Sequence, residues 1–517
     1  MINADAGTID VLDFSDPANP TRTTQLDPVT DVGGTVDGVN SVAVSSNGIV
    51  AAALEDATAT NDGRVAFYSV DPASGGITFE GSASAGPLPD MVAFTPDGNT
   101  LLVANEGEVP EDSGNDELRD FAADVPGSIS VIDLSGGVGS ASETRLGFAD
   151  FNSGGVRAGE LPDGVRINPN ASSVANDLEP EFITVAEDGS RAVVSLQENN
   201  ALAEIDLSGA GASIARIVAL GTKDHGLGFN AMDASDDDGT CTAMDPACIN
   251  IKARANVAGL YMPDGIDTFM ADGSTYVVTA NEGDGRGEDT DECAIKDDAG
   301  GSLNLDANVF PMSVQADAEL GELTVSCDDI NQDQAFAGDT DADGNIEQLL
   351  SFGGRSLSVV ELGTGVIGDT GDGFERITAH LDRFGSTPFT FNDDNDDDSP
   401  ERDTRSDAKG PEPEGVVTTT LSGRTYAFVG LERVGGIMMY DVTNPRLPRF
   451  VDYINNRDFT VDGADLESGA VGLDQAGDWG PEGLVFIAAA DSPNGQDLLV
   501  VGNEVTGTTT VYSVSAP

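Results

Sequence analysis

A short segment with apolar residues at alternating positions recurs seven times along the chain. Each copy begins with Gly or another small or turn-forming residue and ends in an acidic or Ser residue followed by an apolar one. The period of two and the β-branched residues predict a β-strand in each copy. The copies are GTIDVLDF (7–14), GRVAFYSV (63–70), GSISVIDL (127–134), NALAEIDL (200–207), RSLSVVEL (355–362), GGIMMYDV (435–442) and GTTTVYSV (507–514).

A hairpin with its own signature precedes most of these copies. Its first strand opens with Pro or an equivalent residue and then an acid, a turn such as PDGN (96–99) follows, and its second strand ends in an acid. The first strands are PDMVAF (89–94), PEFITV (180–185), PDGIDTF (263–269), PEGVVT (413–418), PEGLVFI (481–487) and the divergent VNSVAV (39–44). A fourth strand follows most copies, as in ITFEGSA (77–83), IARIVAL (214–220) and RFVDYI (449–454).

Four antiparallel strands repeated seven times predict an all-β fold, a seven-bladed β-propeller in one domain over residues 1–517. Insertions at about 149–178, 221–262 and 283–352 are expected to be long loops, the second and third without a core of their own. The segment 391–407 is expected to be an acidic linker. No ten-residue stretch shows a clear helical period. The chain begins inside one blade and ends after a third strand, so we expect either ring closure shared between the termini or residues before Met1.

The repeat places acidic residues at equivalent positions. The first strand of a propeller blade lines the central channel, and the second strand returns antiparallel, so its end lies beside the start of the first. We therefore expect an inner and an outer ring of carboxylates at one channel mouth. The inner ring would contain Asp90, Glu181, Asp264, Glu414 and Glu482, with Asn40 in the remaining slot, and the outer ring Glu55, Glu106, Glu198, Glu282, Glu432 and Glu504.

Like charges at this spacing call for compensation, and a bound cation is the simplest kind. Hard oxygen ligands favour Ca²⁺. The alternative is that each acid caps a turn by accepting backbone N–H groups. Arg286 and Arg433 closely follow two outer-ring acids. They either pair with those acids or hold an anion, such as phosphate, that Ca²⁺ bridges to the carboxylates.

Two local motifs resemble calcium-binding loops. DTDADGNIE (339–347) has the D-x-D-x-D-G spacing, although Leu350 stands where an EF-hand has its bidentate Glu. DASDDDG (233–239) is the second motif, and an Asp-rich turn is the alternative for both. The run 392–398 is expected to be a solvated loop. The candidate ligands are Asp339, Asp341, Asp343 and Asn345 in the first motif and Asp233, Ser235 and Asp237 in the second.

The net charge limits the classes of partner that the protein can bind, and the cysteine content indicates its compartment. The 517 residues include 24 Lys and Arg against 91 Asp and Glu, a net charge of −67. Nucleic acid is therefore excluded as a partner, and the charge suits either cation binding or a salt-adapted surface. No apolar run approaches the roughly 18 residues of a membrane span.

Four cysteines in loop-like contexts predict two disulfides, and hence an oxidising, extracytoplasmic compartment. One pairing is Cys241–Cys248 with Cys293–Cys327, and the sequence alone does not choose among the three pairings that four cysteines allow; free thiols are the alternative.

Several catalytic chemistries are absent from the sequence. His225 and His380 are the two histidines, too few for a multi-His metal site. Neither a G-x-S-x-G nucleophile motif nor a phosphate-binding loop is present. An all-carboxylate metal site requires none of these, because a bound ion can itself polarise a phosphoryl group and activate water.

Long motifs that occur in order resemble the choice-of-anchor I family. They include DLEPEFITV (177–185), KDHGLGFNAMDASDDDG (223–239), KGPEPEGV (409–416) and TYAFVGLERVGGIMMYDVTNP (425–445). That family comprises secreted bacterial β-propellers tethered by varied C-terminal sorting signals, with animal relatives among mesenchyme-specific cell-surface glycoproteins. The resemblance implies an extracellular or cell-surface protein, whose signal and anchor are absent from this chain, and makes Ca²⁺ plausible. It carries over no catalytic residue.

Two functions are consistent with these features. The first is a calcium-binding surface propeller without catalysis, which binds a partner, mineral or surface polymer or assembles with itself. The second is a Ca²⁺-dependent phosphoesterase that acts on a phosphate-bearing small molecule at the acidic channel mouth, as the alkaline phosphatase or phytase-like labels of some family members imply. The absence of the nucleophile motifs considered above favours the first function. Whether the protein is an enzyme stays open.

Overall fold

A computed structural model describes residues 1–3, 6–71, 74–112, 115–209, 211–237, 248–286, 291–295, 303–327, 338, 345–385, 388–396 and 399–517. Its sheets consist mainly of antiparallel strands joined in chain order, which confirms the predicted all-β propeller class. The number of blades and the single domain stay predictions.

The strands of the first part of the chain form three- and four-stranded sheets and one separate hairpin, β10–β11. The sheets are β1–β3, β4–β7, β8–β9–β12–β13 and β14–β17. Their bounds are β1 Ile2–Asn3, β2 Thr8–Asp13, β3 Thr21–Leu26, β4 Ser41–Val44, β5 Ile49–Leu54, β6 Asp62–Val70, β7 Ile77–Pro87, β8 Pro89–Phe94, β9 Thr100–Asn105, β10 Glu111–Asp112, β11 Asn115–Arg119, β12 Ser128–Asp133, β13 Ser142–Gly147, β14 Ile183–Val185, β15 Arg191–Leu196, β16 Ala201–Asp206 and β17 Ser213–Ala219.

The remaining strands continue the same pattern in sheets β27–β30 and β31–β33, and in a sheet in which β21, β25 and β26 are successive neighbours. Their bounds are β18 Thr222–Asp224, β19 Val257–Leu260, β20 Ile266–Ala271, β21 Ser274–Asn281, β22 Glu292–Ala294, β23 Thr324–Ser326, β24 Leu349–Ser351, β25 Ser356–Glu361, β26 Gly365–Asp369, β27 Pro413–Leu421, β28 Arg424–Leu431, β29 Ile437–Asp441, β30 Arg449–Ile454, β31 Pro481–Ile487, β32 Asp497–Asn503 and β33 Thr508–Val514.

The chain divides into two compact units. Unit 1 comprises Met1–Ala219, Ile266–Met270 and Ala488–Gln496, and unit 2 comprises Leu220–Gly265, Ala271–Ile487 and Asp497–Pro517. In unit 1, the insertion at about 149–178 is not a free loop, because its apolar residues join the core of β14–β17. These residues include Phe151, Val165, Ala175 and Leu178.

The insertions of unit 2 also differ from the expected coreless loops. Within the described residues they form a five-stranded sheet of order β18–β19–β24–β23–β22, in which β19 and β24 are parallel. Its core includes Met232, Val257, Phe310, Leu323 and Val325. This sheet joins strands about 90 residues apart in the chain and does not belong to the repeat. The periodic pattern of the sequence therefore does not predict it.

One helix contradicts the expectation that no helical period is present. Helix α3 spans Gly373–Phe384, and it buries Phe374, Glu375, Thr378 and Ala379. Glu375 lies on the buried face because its Oε1 atom pairs with Nη1 of Arg355 at 2.8 Å. The acid interrupts the apolar stripe and hides the helical period. The other helices are short: α1 Pro28–Val32, α2 Val174–Asp177 and α4 Gly463–Glu467.

The acidic segment 391–407 is likewise not a solvated linker in its described part. Asn392, Asp393 and Asp403 are fully buried. Asp393 Oδ2 lies 2.9 Å from Nη2 of Arg457, whose guanidinium stacks on the ring of Trp479. A buried arginine more than 60 residues downstream thus compensates an acid that the local sequence presents as hydrophilic.

The disulfide Cys293–Cys327 is confirmed, and it links β22 to the end of β23. The predicted Cys241–Cys248 pair includes Cys241, which lies outside the described residues. No helix among the described residues has the length and apolar character to cross a membrane.

Backbones of unit 2 approach closely where strands begin. A Cβ atom on Gly415 would lie 1.8 Å from the carbonyl oxygen of Glu482, and one on Gly265 would lie 2.4 Å from that of Glu414. Only glycine fits at such distances. At Gly265 and Gly415, the glycine that follows the Pro-acid pair therefore allows the neighbouring backbone to pack against it.

Replacing Gly415 by Ala should destabilise the protein by about 3 kcal/mol or more, because the added methyl group overlaps a backbone oxygen that cannot move alone. Gly483→Ala is the matched control, since no atom lies within 4 Å of a Cβ there. Thermal and urea unfolding measure both. Equal stability of the two variants would contradict the close approach.

Candidate functional site

The acid of three Pro-acid pairs lies in a β-bulge. In β27 the register with β28 shifts between Pro413 and Val416, the segment that contains Glu414. The same shift occurs at the equivalent place in β8 and in β31. A bulge turns a side chain away from the direction that regular pleating would give it. The repeat thus gives Asp90, Glu414 and Glu482 the same local backbone irregularity.

Three carboxylates converge in unit 2. One oxygen atom of Glu282, one of Glu412 and one of Glu432 all lie within 4.8 Å of one another. Glu282 follows β21, Glu432 follows β28, and Glu412 precedes β27, so three chain segments contribute. The residues Glu412 and Glu432 are buried, with 0% and 7% exposure. We call Glu282, Glu412 and Glu432 the carboxylate triad.

Two arginines pair with part of the triad. Nη2 of Arg405 lies 2.7 Å from Oε1 of Glu412, and Nε of Arg433 lies 3.1 Å from Oε2 of the same residue. Nε of Arg433 also lies 3.3 Å from Oε2 of Glu432. Pairing with acids, the first of the two alternatives for Arg433, is what the structure shows.

Burial and like charges act on the triad together. Burial and the charge of Glu412 raise the pKa of Glu432 to about 7, against the opposing effect of Arg433. Burial and the charges of Asp284 and Glu432 raise the pKa of Glu282 well above its usual range. The arginines therefore compensate the negative charge only in part.

The inner acids of unit 2 lie beside the triad. Burial, followed by the charges of Glu432 and Asp264, raises the pKa of Glu414 well above its usual range. The pKa of Glu482 is also raised, by desolvation and by the charge of Glu504. Several of the predicted inner and outer acids of this unit thus lie within electrostatic reach of one another.

Unit 1 contains an equivalent group. Burial and the charges of Glu108, Asp90 and Glu198 raise the pKa of Glu106 well above its usual range, and Glu179 also acts on it. The backbone N–H of Glu181 donates to the carbonyl of Ser195 at 3.2 Å, beside β14. Desolvation and Asp37 raise the pKa of Glu55. Whether all these acids form two complete rings stays a prediction.

The loop containing Asp233 makes contacts within the protein. The Asp233 carboxylate is buried and accepts N–H groups from Ala234 and Asn250. Ser235 Oγ donates to the carbonyl of Asp317 at 2.7 Å and accepts the N–H of Asp237 at 3.1 Å. Calcium binding by this loop stays a prediction.

The remaining predicted site residues are those of the 339–347 motif and Arg286. Asp339, Asp341 and Asp343 lie outside the described residues, while Oδ1 of Asn345 accepts from Nδ2 of Asn304 at 2.9 Å. Arg286 is buried, and its backbone N–H donates to Oδ1 of Asp291 at 3.0 Å.

Sequence reasoning missed Glu412, the central member of the triad. It precedes Pro413 and so falls outside the Pro-acid signature that defines the repeat. A signal was present, however: the tripeptide Glu-Pro-Glu occurs at 179–181 and again at 412–414. Both of its occurrences place the first Glu near an acidic group, because Glu179 acts on the pKa of Glu106.

Together, the fold and these clusters define a β-propeller with buried carboxylate groups beside the ends of its strands. The model of the Choice-of-anchor I domain matches residues 1–445, and the chain belongs to this family. Membership implies a surface-anchored or secreted protein, and the Cys293–Cys327 disulfide is consistent with an extracellular location.

A relative and two solved structures illustrate the similarity. The chain is 31% identical over 203 residues to Gigasin-3a of Magallana gigas, a match covering 39% of this chain and 67% of that protein. A putative 6-phosphogluconolactonase of Bacteroides fragilis has a TM-score of 0.39 at 11% identity, covering 97% of this chain and 85% of that one. The periplasmic gluconolactonase of Pseudomonas aeruginosa has a TM-score of 0.36 at 11% identity, covering 98% and 91%.

The metal-free protein should lose stability as the pH rises towards 7. The folded-state pKa of Glu432, about 7, lies above the ordinary value of 4.5, so the folded state holds this proton more tightly than the unfolded state. The resulting stabilisation is present below pH 4.5 and is lost as the pH rises through about 7. Urea unfolding in EDTA from pH 4.5 to 8 should show a smaller loss for Glu432→Gln than for the wild type.

The exposed helix residue Glu467 provides the matched control for that comparison. Glu467→Gln should follow the wild-type pH dependence. An identical loss of stability in wild type and Glu432→Gln would show that Glu432 does not carry the effect.

Proposed function

We propose that the protein is an extracellular β-propeller module that binds a divalent cation, Ca²⁺, at the carboxylate triad. The single observation that carries the proposal is the convergence of three buried carboxylates within 4.8 Å. In this role the module is a calcium-stabilised binding or structural element for a surface partner, mineral or polymer, as the first of the two sequence hypotheses holds.

The spacing of the triad suits one shared ion. Oxygen ligands lie about 2.3–2.6 Å from Ca²⁺, so two ligands of one ion are at most about 5 Å apart. Every pair of triad oxygens satisfies this limit, because the three atoms lie within 4.8 Å of one another. Three carboxylates also supply up to six oxygens, and Ca²⁺ takes about 6–8. Oxygen-only ligation favours Ca²⁺, Mg²⁺ or Mn²⁺ over softer metals.

The negative charge of the triad that remains uncompensated is the driving force for binding a cation. Arg405 and Arg433 face Glu412 and Glu432, whereas Glu282 keeps a strongly raised pKa even though Lys409 lies nearby. Buried charges are costly unless paired, so an ion that neutralises this excess stabilises the folded state. A cation that binds the folded chain alone shifts the folding equilibrium by mass action.

The phosphoesterase hypothesis stays a prediction. Among the described residues, Arg433 contacts carboxylates, which is the arrangement expected for charge compensation as well as for a site awaiting phosphate. An assay with p-nitrophenyl phosphate, with and without chelator, tests this hypothesis directly. Chelator-sensitive hydrolysis would support it, and the absence of hydrolysis in saturating Ca²⁺ would count against it.

Calcium should raise the unfolding temperature of the wild-type protein, and EDTA should reverse the rise. At 100 times the dissociation constant, binding adds about 2.7 kcal/mol of stability, which for a chain of this size is a shift of a few degrees. Glu432→Gln and Glu282→Gln should each weaken Ca²⁺ binding at least tenfold by calorimetry, because each removes one charged ligand of the ion.

Glu467→Gln is the control, since it removes the same charge at an exposed helix end. It should bind Ca²⁺ like the wild type. If Glu432→Gln and Glu467→Gln bind with equal affinity, the triad is not the site.

A further inference from the structure

The Cys293–Cys327 disulfide closes a short hairpin of unit 2. Strand β22 lies at the edge of the five-stranded sheet and pairs with β23 over three residue pairs. In the described part of the chain, β23 in turn pairs with β24 at Val325 and Ser351 alone. Such short pairing holds a hairpin only weakly. The disulfide therefore adds a covalent constraint that the backbone pairing by itself lacks.

This hairpin contacts the segment that leads to Glu412. The backbone N–H of Thr324 in β23 donates to the carbonyl of Asp407 at 2.7 Å. From β22, Oε1 of Glu292 lies 3.7 Å from Nζ of Lys409. Both contacts fall within the five residues before Glu412, so the hairpin supports the chain where it approaches the triad.

Lys409 connects the segments that carry two members of the triad. Its Nζ atom pairs with Oδ1 of Asp284, which follows Glu282 by two residues, and Lys409 itself precedes Glu412 by three. Lys409 is buried, so solvent screens its ion pairs less than it would at the surface. A continuous set of contacts thus runs from the disulfide-closed hairpin to both segments.

The segment before Glu412 has a second support. Nη2 of Arg355 donates to the carbonyl of Ser406 at 2.8 Å and to that of Ala408 at 2.7 Å. These bonds hold the backbone just before Lys409, whereas the hairpin contacts Lys409 itself. Loss of the hairpin contacts is therefore expected to shift Glu412 without unfolding the segment.

We propose that the Cys293–Cys327 disulfide positions the carboxylate triad, so that the cation site reaches its full affinity only in the oxidised chain. This inference rests on the proposed function, because it concerns the affinity of the same site. Three oxygens bind one ion tightly when their mutual distances are fixed before the ion arrives. If the open hairpin lets the triad separate, the apparent affinity falls with the fraction of molecules in which the triad is assembled.

The test is the Ca²⁺ affinity of the full chain, measured by calorimetry, with Cys293→Ser and Cys327→Ser combined in one variant. The two substitutions change no charge at the site, so an effect on affinity comes through position. We expect the double variant to bind Ca²⁺ about fivefold more weakly than the wild type, with the same number of ions at the triad.

Leu101→Ala is the control for lost stability. Leu101 is fully buried in β9 of unit 1, so its truncation destabilises the protein without touching the hairpin. It should bind Ca²⁺ like the wild type at a temperature at which both are folded. Equal weakening in Leu101→Ala and in the double cysteine variant would contradict the positioning role, because lost stability alone would then explain it.

A second measurement uses the wild-type protein and decides the question should the double variant fail to fold. Coupling between two equilibria is reciprocal, so a bound cation should favour the closed hairpin. Saturating Ca²⁺ should slow the reduction of Cys293–Cys327 by dithiothreitol about fivefold, as followed by thiol alkylation and peptide mass spectrometry. Glu432→Gln should remove most of this protection, and an unchanged reduction rate in the wild type would contradict the inference.

The outcomes separate the two proposals. If Glu432→Gln weakens Ca²⁺ binding while the double cysteine variant keeps the wild-type affinity, the triad site stands and the positioning role is wrong. If Glu432→Gln binds Ca²⁺ like the wild type, the triad is not the site, and the positioning role is wrong with it.

Discussion

The constraint on which the candidate site depends is the contact of backbone with backbone where neighbouring strands of unit 2 begin. The missing side chains of Gly265 and Gly415 let the following strand approach to a distance that no other residue permits. The acid just before each glycine is consequently carried to within electrostatic reach of the next acid. At Glu414 a bulge also turns the acid out of the regular pleat. Repulsion between carboxylates is therefore a product of packing, and the fold has to accommodate it.

Part of the compensation for this repulsion comes from a segment that the sequence did not indicate as its source. The segment that reads as an acidic linker, 391–407, contributes Arg405, and it buries Asp393 against Arg457. Arg457 lies between aromatic rings of Phe459 and Trp479, which hold its guanidinium in place. Acidic and basic side chains of distant segments are thus paired with one another, although the overall charge of the chain is strongly negative. At the triad, Arg405 and Arg433 pair with Glu412 and Glu432, while the pKa of Glu282 stays well above its usual range.

Much of the fold could be predicted because it repeats. Alternation revealed the strands, and the Pro-acid signature revealed that acids of successive strands would meet; β8, β27 and β31 begin where expected. What the sequence concealed is non-repetitive and non-local. Helix α3 was hidden by a buried Glu375 whose partner is Arg355. The five-stranded sheet pairs segments separated by insertions, and Glu412 stands outside the repeat by one proline. The partner of Glu375 lies 20 residues away along the chain, outside the window in which a helical period is read.

The bulged position has a consequence for how such proteins diversify. Because proline, bulge and glycine set the backbone there, the residue between them can change without altering the strands around it. The divergent strand beginning near Asn40 carries an amide at the matching position of the repeat, there without the flanking proline and glycine. A single nucleotide change in a codon could thus convert an acidic position into a neutral or basic one. The same scaffold could present differently charged faces in different relatives, with ligand preference inherited separately from architecture.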